Sequence, residues 1–346
     1  MSIINIFQKG NKCCFEDAKS FTMGIAPVKK DGKWGFIHKN GSFFVEPIFE
    51  DADNFSECYA KVKQNGKWGF IDIIGRWFIN PVFDNVGNFC EGLAYFQIYK
   101  QNQGAYGYLD INGKIVIPQV LYSASNFSEG LAAVQKDNKK LYIDIKGNIK
   151  IDNQTLSYPY HNFSEGLARV GHSSHYCFID KQGNIIIDLR CNVIKSINKN
   201  CGEVGDFNEG LAWFQDFSSN DKNGKIGYID KTGKIIIKPF HTKAYNFFEG
   251  LALVEKWEGT SEPTRRYINN DGKIIIDLAT DFTDAGDFSN GLAFIRKNKK
   301  YGYIDKTGKI VIKPQFEWPS NFSEGLAYVR KNGKYGFIDK SGKILI

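Results

Sequence analysis

The sequence is dominated by one motif, Asn-Phe-Ser-Glu-Gly-Leu-Ala in its fullest form, which returns from one end of the chain to the other. Its phenylalanine recurs nine times, at intervals of 34 to 44 residues, at Phe21, Phe55, Phe89, Phe127, Phe163, Phe207, Phe247, Phe288 and Phe322. A period of this length is typical of repeat proteins, in which each copy buries its apolar face against its neighbours. The chain is therefore expected to fold as an array of nine related repeats.

Each repeat contains three runs that predict short β-strands. The first run, Leu-Ala-x-Val, ends at a pair such as Asn65-Gly66, which favours a two-residue hairpin turn. The second run is aromatic-Gly-aromatic-Ile-Asp, and its Asp stands three positions before a glycine, which predicts a second hairpin. The third run, Lys-Ile-Ile-Ile, is apolar on successive positions, as expected of a strand covered on both faces, and a proline often ends it. The repeats are thus predicted to be three-stranded and the chain all-β.

A glycine stands at the second position of the second run in six repeats, for example at Trp68-Gly69. Neighbouring residues of a strand point to opposite faces, so this glycine leaves a gap on a face that Ile and Val otherwise occupy. We expect the recurring Phe of an adjacent repeat to fill the gap.

Composition agrees with a β-rich fold and limits the classes of partner. Aromatic residues make up 15% of the chain, and there are 35 glycines but two methionines, a bias toward strands and tight turns. The formal net charge is +7, and 38 of the 45 basic residues are lysine. Because recognition of bases and phosphates usually draws on the planar guanidinium of arginine, nucleic acid is disfavoured as a partner.

The sequence also predicts a cytoplasmic protein without a membrane span. Residues 1–10 lack the basic start and apolar run of a signal peptide, and no apolar stretch is long enough to form a spanning helix. The seven cysteines are an odd number without a repeated spacing, as expected of free thiols in a reducing compartment.

The blocks Lys-Trp-Gly-Phe-Ile-Asp, Glu-Gly-Leu-Ala and Gly-Lys-Ile-Val-Ile-x-Pro resemble those of the bacterial WG-repeat (KWG) family over roughly residues 15 to 346. The resemblance implies β-rich repeats and an interaction role, and it brings no catalytic residues. The fourth, fifth and seventh repeats depart from the family pattern, with Leu141-Tyr142, Cys177-Phe178 and Arg266-Tyr267 where an aromatic-Gly pair is expected. We therefore expect the middle of the array to be the least regular part.

A glutamate recurs in seven of the nine motif copies, as at Glu57 and Glu324, and the other two copies carry Met23 and Asn290. A site normally needs one constellation of side chains rather than many copies of one residue. Because methionine can replace this glutamate, we interpret it as a residue of turns and of hydrogen bonds between repeats, not as a general acid or base.

One local cluster has ligand-type side chains: His172, His175 and Cys177. These three residues could bind zinc if a fourth ligand came from elsewhere. However, the cluster replaces a hairpin tip of the fifth repeat, where polar residues are expected anyway. Phosphate-binding loops and hydrolase motifs are absent from the sequence. We predict no catalytic residue, no resident metal and no cofactor.

Insertions are the strongest indication of a binding region, because extra length in a repeat array tends to emerge on one face. The extra length falls in three segments of the middle repeats, residues 188–206, 215–223 and 255–266. The candidate binding residues at or beside them are Trp213, Trp257, Arg265 and Arg266. Exposed tryptophan is a common interface anchor, although the two Trp rings could equally belong to the core.

Two architectures fit nine such repeats. We favour an open, twisted, solenoid-like array of hairpins, because the repeat length varies and nine blades would be unusual for a ring. A β-propeller is the alternative. Residues 1–20 are assigned to an N-terminal partial repeat or cap, and residues 21–346 to one continuous domain of nine repeats.

The function that best fits this architecture is a non-enzymatic scaffold that binds another protein through its extended surface. Neutralisation or docking of the partner protein is one form of such binding. The alternative is a carbohydrate or cell-envelope binder that uses repeated aromatic slots, which would require export.

Overall fold

The computed structural model describes residues 13–100, 103–152, 156–172, 175–189, 201–217, 224–257, 262–278, 280 and 282–346. All the regular secondary structure in these ranges is β-strand, which confirms the predicted all-β class. The chain divides into two units, a terminal unit of residues 1–83 with 281–346 and a middle unit of residues 84–280.

The strands are short and follow one another closely. The terminal unit begins with β1 Asp17–Ala18, β2 Ile25–Lys30, β3 Lys33–His38, β4 Phe43–Phe49, β5 Asp51–Ala52, β6 Tyr59–Gln64, β7 Lys67–Asp72 and β8 Trp77–Phe83. The middle unit contains β9 Asn85–Val86, β10 Leu93–Lys100, β11 Gln103–Asp110, β12 Ile115–Leu121, β13 Ser123–Ala124, β14 Leu131–Lys136, β15 Lys139–Asp144, β16 Ile149–Ile151, β17 Leu156–Tyr160, β18 Ala168–His172, β19 His175–Ile179, β20 Ile185–Asp188, β21 Cys201–Val204, β22 Leu211–Asp216, β23 Lys225–Asp230, β24 Ile235–His241, β25 Lys243–Ala244, β26 Ala252–Lys256, β27 Thr264–Ile268 and β28 Ile274–Leu278. The terminal unit ends with β29 Phe282–Ala285, β30 Leu292–Lys297, β31 Lys300–Asp305, β32 Ile310–Phe316, β33 Leu326–Lys331 and β34 Lys334–Asp339.

Successive groups of four strands form antiparallel sheets in chain order, from β1–β4 to β29–β32, and β33 pairs with β34. The described residues thus form nine sheets, which are numbered here in chain order. The first eight have one strand more than the sequence predicts. The additional strand lies just before the recurring Phe; in the second sheet it is Asp51–Ala52, which pairs with Lys63 and Val62 of β6. Two residues are too few to show the alternation of apolar and polar residues that marks a strand, so the sequence pattern did not reveal this strand.

Both predicted hairpins are confirmed in the second sheet. Asn65 and Gly66 have φ values of 52° and 75°, the positive angles that a two-residue hairpin turn of this type requires. In the second hairpin, the Asp72 carboxylate accepts hydrogen bonds from the backbone N–H groups of Ile74 (3.0 Å) and Arg76 (2.9 Å). The local sequence therefore determines both turns.

The glycine of the second run makes room for backbone rather than for a ring. A Cβ atom on Gly69 would lie 2.5 Å from the carbonyl oxygen of Ile79 and 2.8 Å from the nitrogen of Pro81 in β8. Trp68 pairs with Phe83 and Phe70 with Ile79, so β8 carries two extra residues here. We name this bulge the glycine–proline arch. The prediction that the recurring Phe fills the gap is wrong, because the arch of the same sheet fills it.

The fifth and seventh sheets lack the arch; in the fifth, Cys177 and Phe178 of β19 pair in direct succession with Asp188 and Ile187 of β20. In the seventh, Arg265, Arg266 and Tyr267 of β27 pair in direct succession with Leu278, Asp277 and Ile276 of β28. In both of these sheets the sequence departs from the aromatic-Gly pattern, and the fourth strand runs Ile-x-Ile-Asp without a proline. We name them flat sheets. The departures in sequence therefore mark a second, simpler mode of pairing.

The recurring Phe packs between consecutive sheets. In the terminal unit, the rings of Phe36 and Phe55 meet edge to face with centroids 5.4 Å apart; in the middle unit, Tyr228 and Phe247 meet in the same way at 5.0 Å. Phe55 is 4% exposed and Phe247 is fully buried. Edge-to-face ring pairs contribute beyond the area that they bury. Each sheet thus depends on its neighbour for part of its core.

The recurring glutamate joins consecutive repeats by hydrogen bonds. The Glu165 carboxylate accepts the backbone N–H of Gly210 (3.0 Å), and the Glu209 carboxylate accepts that of Gly250 (2.8 Å). Lys231 adds an ion pair to Glu165 at 3.0 Å. The interpretation of this glutamate as a residue that bonds between repeats is confirmed.

The two ends of the described chain share one strand position beside β34 in the terminal unit. Phe15 pairs with Tyr335 there, as Phe49 pairs with Trp34 in the first sheet. Ile346 lies in the same row, because its carbonyl accepts the N–H of Phe337 at 2.9 Å. The ninth sheet is thus completed by residues from both ends of the chain.

The contacts that join internal repeats recur at this seam. The ring of Phe337 lies 4.8 Å from that of Phe21, and the Glu324 carboxylate accepts the N–H of Gly24 at 3.0 Å. The first and last repeats therefore cover each other. The predicted open solenoid-like array is wrong, and the alternative, the β-propeller, is supported.

The fourth strand of each sheet is less covered than the sequence predicts. Ile115 of β12 is 57% exposed and Ile149 of β16 is 52% exposed. These strands stand last in the order of their sheets, so their side chains lack a neighbour on one side. The prediction that the run is covered on both faces is wrong for these positions.

Candidate functional site

A group of aromatic and basic side chains lies where the sixth and seventh sheets adjoin in the middle unit. It consists of Phe240, His241, Lys256, Trp257 and Arg266, and we name it the aromatic–basic edge. Strand β24 ends with Phe240 and His241, β26 ends at Lys256, and β27 contains Arg266. The edge therefore combines regular strand positions with the start of one predicted insertion.

Phe240 is exposed because of the arch in the sixth sheet. It follows Pro239, and the residue after the arch proline is also exposed in the first and second sheets, with Ile48 at 48% and Val82 at 49%. Phe240 itself is 52% exposed. The arch therefore displays whichever side chain follows its proline, and in the sixth sheet that side chain is a phenyl ring.

Lys256 contacts one exposed ring of the edge and precedes the other in the chain. Its Nζ lies 3.8 Å from the centroid of the Phe240 ring, a cation–π contact. The next residue, Trp257, is 50% exposed, and its backbone N–H donates to the Thr242 hydroxyl at 3.1 Å. Both aromatic side chains thus stand on fixed backbone with their rings in solvent.

The two predicted arginines have different environments. Arg265 is buried, with its Nε 3.1 Å from the Glu255 carboxylate and a terminal nitrogen 3.7 Å from that of Glu262. Arg266 is partly exposed and pairs with the more exposed Asp277, its partner across the flat sheet, at 3.1 Å. Arg266 can therefore contact a partner, whereas Arg265 is committed to an internal ion pair.

The surroundings of His241 at the edge lower the pKa of its imidazole ring. Burial lowers its pKa, and the nearby positive charges of Arg266 and Lys256 lower it further, to about 4. Its ring packs edge to face against Phe240 at 5.6 Å. His241 is therefore neutral near pH 7, in a positive environment.

Trp213 packs inward, unlike Trp257. It is half-buried against the core that includes Leu211 and Ile226, and its indole covers the backbone of Gly205. Of the two environments that the sequence left open, Trp213 has the core and Trp257 the surface. Residues 190–200, 218–223 and 258–261 of the predicted insertions lie outside the described residues.

The candidate zinc ligands do not converge in the part of the chain that is described. His175 Nε2 lies 3.0 Å from Asp188 Oδ1, and Cys177 is fully buried beside Ile151. The side chain of His172 lies outside the described residues. Among the described side chains, no group of three His, Cys, Asp or Glu is placed to hold a metal ion.

Sequence reasoning missed Phe240 and Lys256 because both occupy regular positions of the repeat. A signal existed, since other repeats with an arch proline carry Ile48, Val82 or Gln315 where Phe240 stands. An aromatic residue at a position that the arch exposes distinguishes this repeat from the others.

A family model described as WG containing repeat matches eight segments of the chain, residues 12–34, 34–68, 68–100, 106–139, 176–204, 226–257, 266–301 and 301–335. Together these segments span well over half of the sequence. Residues 140–175, which run from the fourth repeat into the fifth, fall between two matches. No curated protein matches the chain significantly.

Among solved structures, the chain resembles the crystal structure of the eukaryotic initiation factor, with 9% identity and a TM-score of 0.63 over 93% of this chain and 94% of that chain. The WD40 domain of SCAP from fission yeast matches with 9% identity and a TM-score of 0.43, over 96% and 97% of the two chains. At such low identity the first of these similarities supports the fold alone. Within the described ranges, no helix has the length and apolar character needed to cross a bilayer.

Proposed function

The chain belongs to the WG-repeat family, and from this premise we propose that it is a non-enzymatic scaffold that binds another protein at the aromatic–basic edge. The observation that carries the proposal is the exposure of two large rings there, Phe240 at 52% and Trp257 at 50%. Covering a ring of this size contributes on the order of 1.5 to 3 kcal/mol. Two such rings are therefore suitable anchors for a partner.

The surroundings of the rings also suit a protein interface. Interfaces are enriched in aromatic residues and arginine, with anchors at the centre and charged residues at the rim. Here the rings of Phe240 and Trp257 would form the centre, and the ion pair of Arg266 with Asp277 would lie at the rim. Because both sides of the pair already have partners, the rim would contribute more to specificity than to affinity.

The geometry favours a protein over a carbohydrate partner. A glycan binder with repeated aromatic slots needs the repeated rings to be open, but Trp34 is 6% exposed and Tyr301 is 8% exposed. Lys19 places its Nζ 5.4 Å from the centroid of the Trp34 ring. The chain's own side chains thus fill these slots, which supports the scaffold as the leading function.

A cytoplasmic location is part of the proposal. The five cysteines whose state the structure describes are free thiols, as expected in a reducing compartment: Cys13, Cys14, Cys58, Cys90 and Cys177. Fractionation of the host with antibodies against the chain tests this point, and recovery in the extracellular fraction would contradict it.

The scaffold function is tested by capture from host extract on the full chain. We expect the wild type to retain one protein in stoichiometric amount, and the double variant Phe240→Ala/Trp257→Ala to lose it. The matched control is Tyr99→Ala/Tyr122→Ala, which removes two rings that are 54% and 72% exposed elsewhere in the middle unit. Retention of the same protein by the Phe240→Ala/Trp257→Ala variant, or binding to glycan arrays without any protein partner, would contradict the proposal.

A further inference from the structure

Positive charge is concentrated in the last two sheets of the terminal unit. Residues 281–346 contain twelve Lys and Arg against seven Asp and Glu, a surplus of five in a chain whose net charge is +7. Seven of the basic side chains gather at the hairpin tips that join β30 to β31 and β33 to β34. They are Arg296, Lys297, Lys299, Lys300, Arg330, Lys331 and Lys334.

Few carboxylates balance these cations. The described ones beside the tips are Asp284 and Glu317, and Glu317 lies 3.6 Å from Lys300 and 3.9 Å from Arg330. Asp281, which precedes β29, lies outside the described residues, and counting it still leaves seven cations against three carboxylates. The same end of the adjoining first sheet is neutral and leaves this surplus unchanged. Its charged residues are Glu16, Asp17, Lys29, Lys30, Asp31 and Lys33.

An exposed tryptophan lies among these cations. Trp318 is 53% exposed, and its backbone pairs with Arg330 of β33. In the other three repeats of the terminal unit, the residue at this position is Asp17, Asp51 or Asp284, and each pairs with a Lys or Arg of the neighbouring strand. The ninth repeat therefore lacks a carboxylate here and displays an indole instead.

The indole of Trp318 stands on fixed backbone beside the hairpin tips. The backbone N–H of Arg330 donates to the Trp318 carbonyl at 3.0 Å, and the indole lies against the ring of Tyr301 with centroids 6.5 Å apart. The Arg296 guanidinium lies 5.5 Å from the centroid of the same Tyr301 ring. Since β33 continues past Arg330, the tip residues 331–334 extend beyond the indole. Trp318 thus offers a recessed ring with cations of both sheets around it.

We infer that this surface of the eighth and ninth sheets binds single-stranded nucleic acid without sequence preference. The phosphates would approach the seven cations and one unstacked base would stack on Trp318, the combination of charge and aromatic platform that single-strand binding uses. Five of the seven cations are lysine, which binds phosphate as a point charge but is depleted in protein interfaces. A bilayer fits less well, because the hairpin tips would hold the recessed indole away from its apolar layer.

The overall composition of the chain conceals this surface. The small share of arginine disfavoured nucleic acid, but the net positive charge is local, and two of the seven arginines lie here. Binding without sequence preference needs charge and a stacking ring rather than bidentate contacts to base edges. The surface belongs to the terminal unit and does not depend on the proposed function, whose residues belong to the middle unit.

The first test measures binding of the full chain to a fluorescent oligo(dT) by anisotropy at low salt. We expect affinity that falls linearly with the logarithm of salt concentration. We also expect tighter binding to oligo(dT) than to polyglutamate or to a duplex of the same length, because only the single strand offers unstacked bases. Absence of binding, or binding to polyglutamate or the duplex that is as tight as binding to oligo(dT), would overturn the inference and leave the proposed function standing.

The second test separates stacking from charge at Trp318. Trp318→Leu should weaken binding of oligo(dT) by at least about fivefold, whereas Trp318→Phe keeps a ring and should stay within about twofold of the wild type. The control Trp77→Leu removes another partly exposed indole of the terminal unit and should leave affinity unchanged. Wild-type affinity in Trp318→Leu, or equal weakening in Trp318→Leu and Trp77→Leu, would overturn the inference.

The third test uses matched lysine pairs. Lys299→Gln/Lys334→Gln should make the log–log salt dependence shallower by about 1.4, because each phosphate contact of a single strand contributes about 0.7. The control, Lys309→Gln/Lys343→Gln, removes the same charge at the second turns of the same two sheets, beyond the far ends of β31 and β34, and should leave the slope unchanged. Equal slopes in the two double variants would contradict the proposed contacts. Circular dichroism and urea midpoints establish that each variant is folded.

Discussion

The second and seventh sheets are copies of one module that join their third and fourth strands in different ways. In the second sheet, Gly69 leaves space for β8 to rise over β7 at Pro81. In the seventh, Arg266 occupies the glycine position and pairs with Asp277 in regular antiparallel register. The difference shows that the glycine and the proline act together. It also shows that the seventh sheet carries a partly exposed side chain, Arg266, at the place where an arched sheet has none.

The contacts between consecutive sheets are the same for the second and the seventh repeats. Phe55 of the second repeat and Phe247 of the seventh are both buried and both meet an aromatic ring of the preceding sheet edge to face. Arched and flat sheets therefore pack against their neighbours in the same way.

The largest expected effects test that shared packing. Phe55→Ala and Phe247→Ala should each lower the free energy of unfolding by about 4 kcal/mol, because each removes a buried ring and leaves a cavity. Urea denaturation followed by tryptophan fluorescence measures both. A loss in one variant more than twice that in the other would show that the two sheets are not packed alike.

The next effect separates the two sheets. Gly69→Val should cost about 2 to 3 kcal/mol, because its side chain meets the backbone of Ile79 and Pro81 in the arch. The matched variant Arg266→Val introduces the same residue at the same position of the flat sheet and should cost less than about 1 kcal/mol. Urea midpoints compare them directly. Similar costs would refute the account of the arch.

A third difference depends on pH. His241 stands where Phe49, Phe83 and Phe316 stand in arched sheets, and burial together with Arg266 and Lys256 lowers its pKa from 6.5 to about 4. Between these values the unfolded chain binds a proton that the folded chain does not. The stability is therefore complete above about pH 6.5 and is lost as pH falls toward about 4.

We expect His241→Phe to show a shallower loss of urea midpoint than the wild type between about pH 7 and about pH 5. His161 remains in both proteins, and burial and Arg169 lower its pKa as well, so some pH dependence persists. Parallel pH profiles for the wild type and the variant would contradict the assignment to His241.

The smallest expected effect concerns the ion pair of the flat sheet. Asp277→Asn removes the partner of Arg266, but Asp277 is 59% exposed, so stability should change by no more than about 0.5 kcal/mol. Urea midpoints at low and high salt measure the change. A loss above about 1 kcal/mol would show that the pair, and not the regular pairing, holds the flat sheet together.

Much of the fold was predictable because the turns are local. The Asn65-Gly66 pair and the Asp72 turn are encoded by adjacent residues, and both were identified from the sequence. Closure was only the alternative to the favoured open array, because it depends on the meeting of residues far apart in sequence. The signal was nevertheless present, since Phe15-Glu16-Asp17-Ala18 repeats Phe49-Glu50-Asp51-Ala52 and continues the strand that the chain leaves at Ile346.

The candidate site was predictable only in part. Trp257 and Arg266 were identified and are at the surface, but Arg265 and Trp213 are turned inward by cross-strand neighbours that a linear pattern does not reveal. Phe240 was missed because its exposure follows from the arch, and the arch was not anticipated. Burial at a single position thus depends on strand register, which the repeat pattern fixes only loosely.

The coupling of glycine to the arch also constrains how such a gene can diverge. A β-carbon at the position of Gly69 clashes with an arched neighbour, so replacing the glycine before the arch is lost passes through a destabilised intermediate. Conversion of one repeat type into the other should therefore be rare by stepwise point mutation. Exchange of whole repeats by recombination would carry both halves of the pair together, and it offers a route by which a flat copy such as the seventh could enter an arched array.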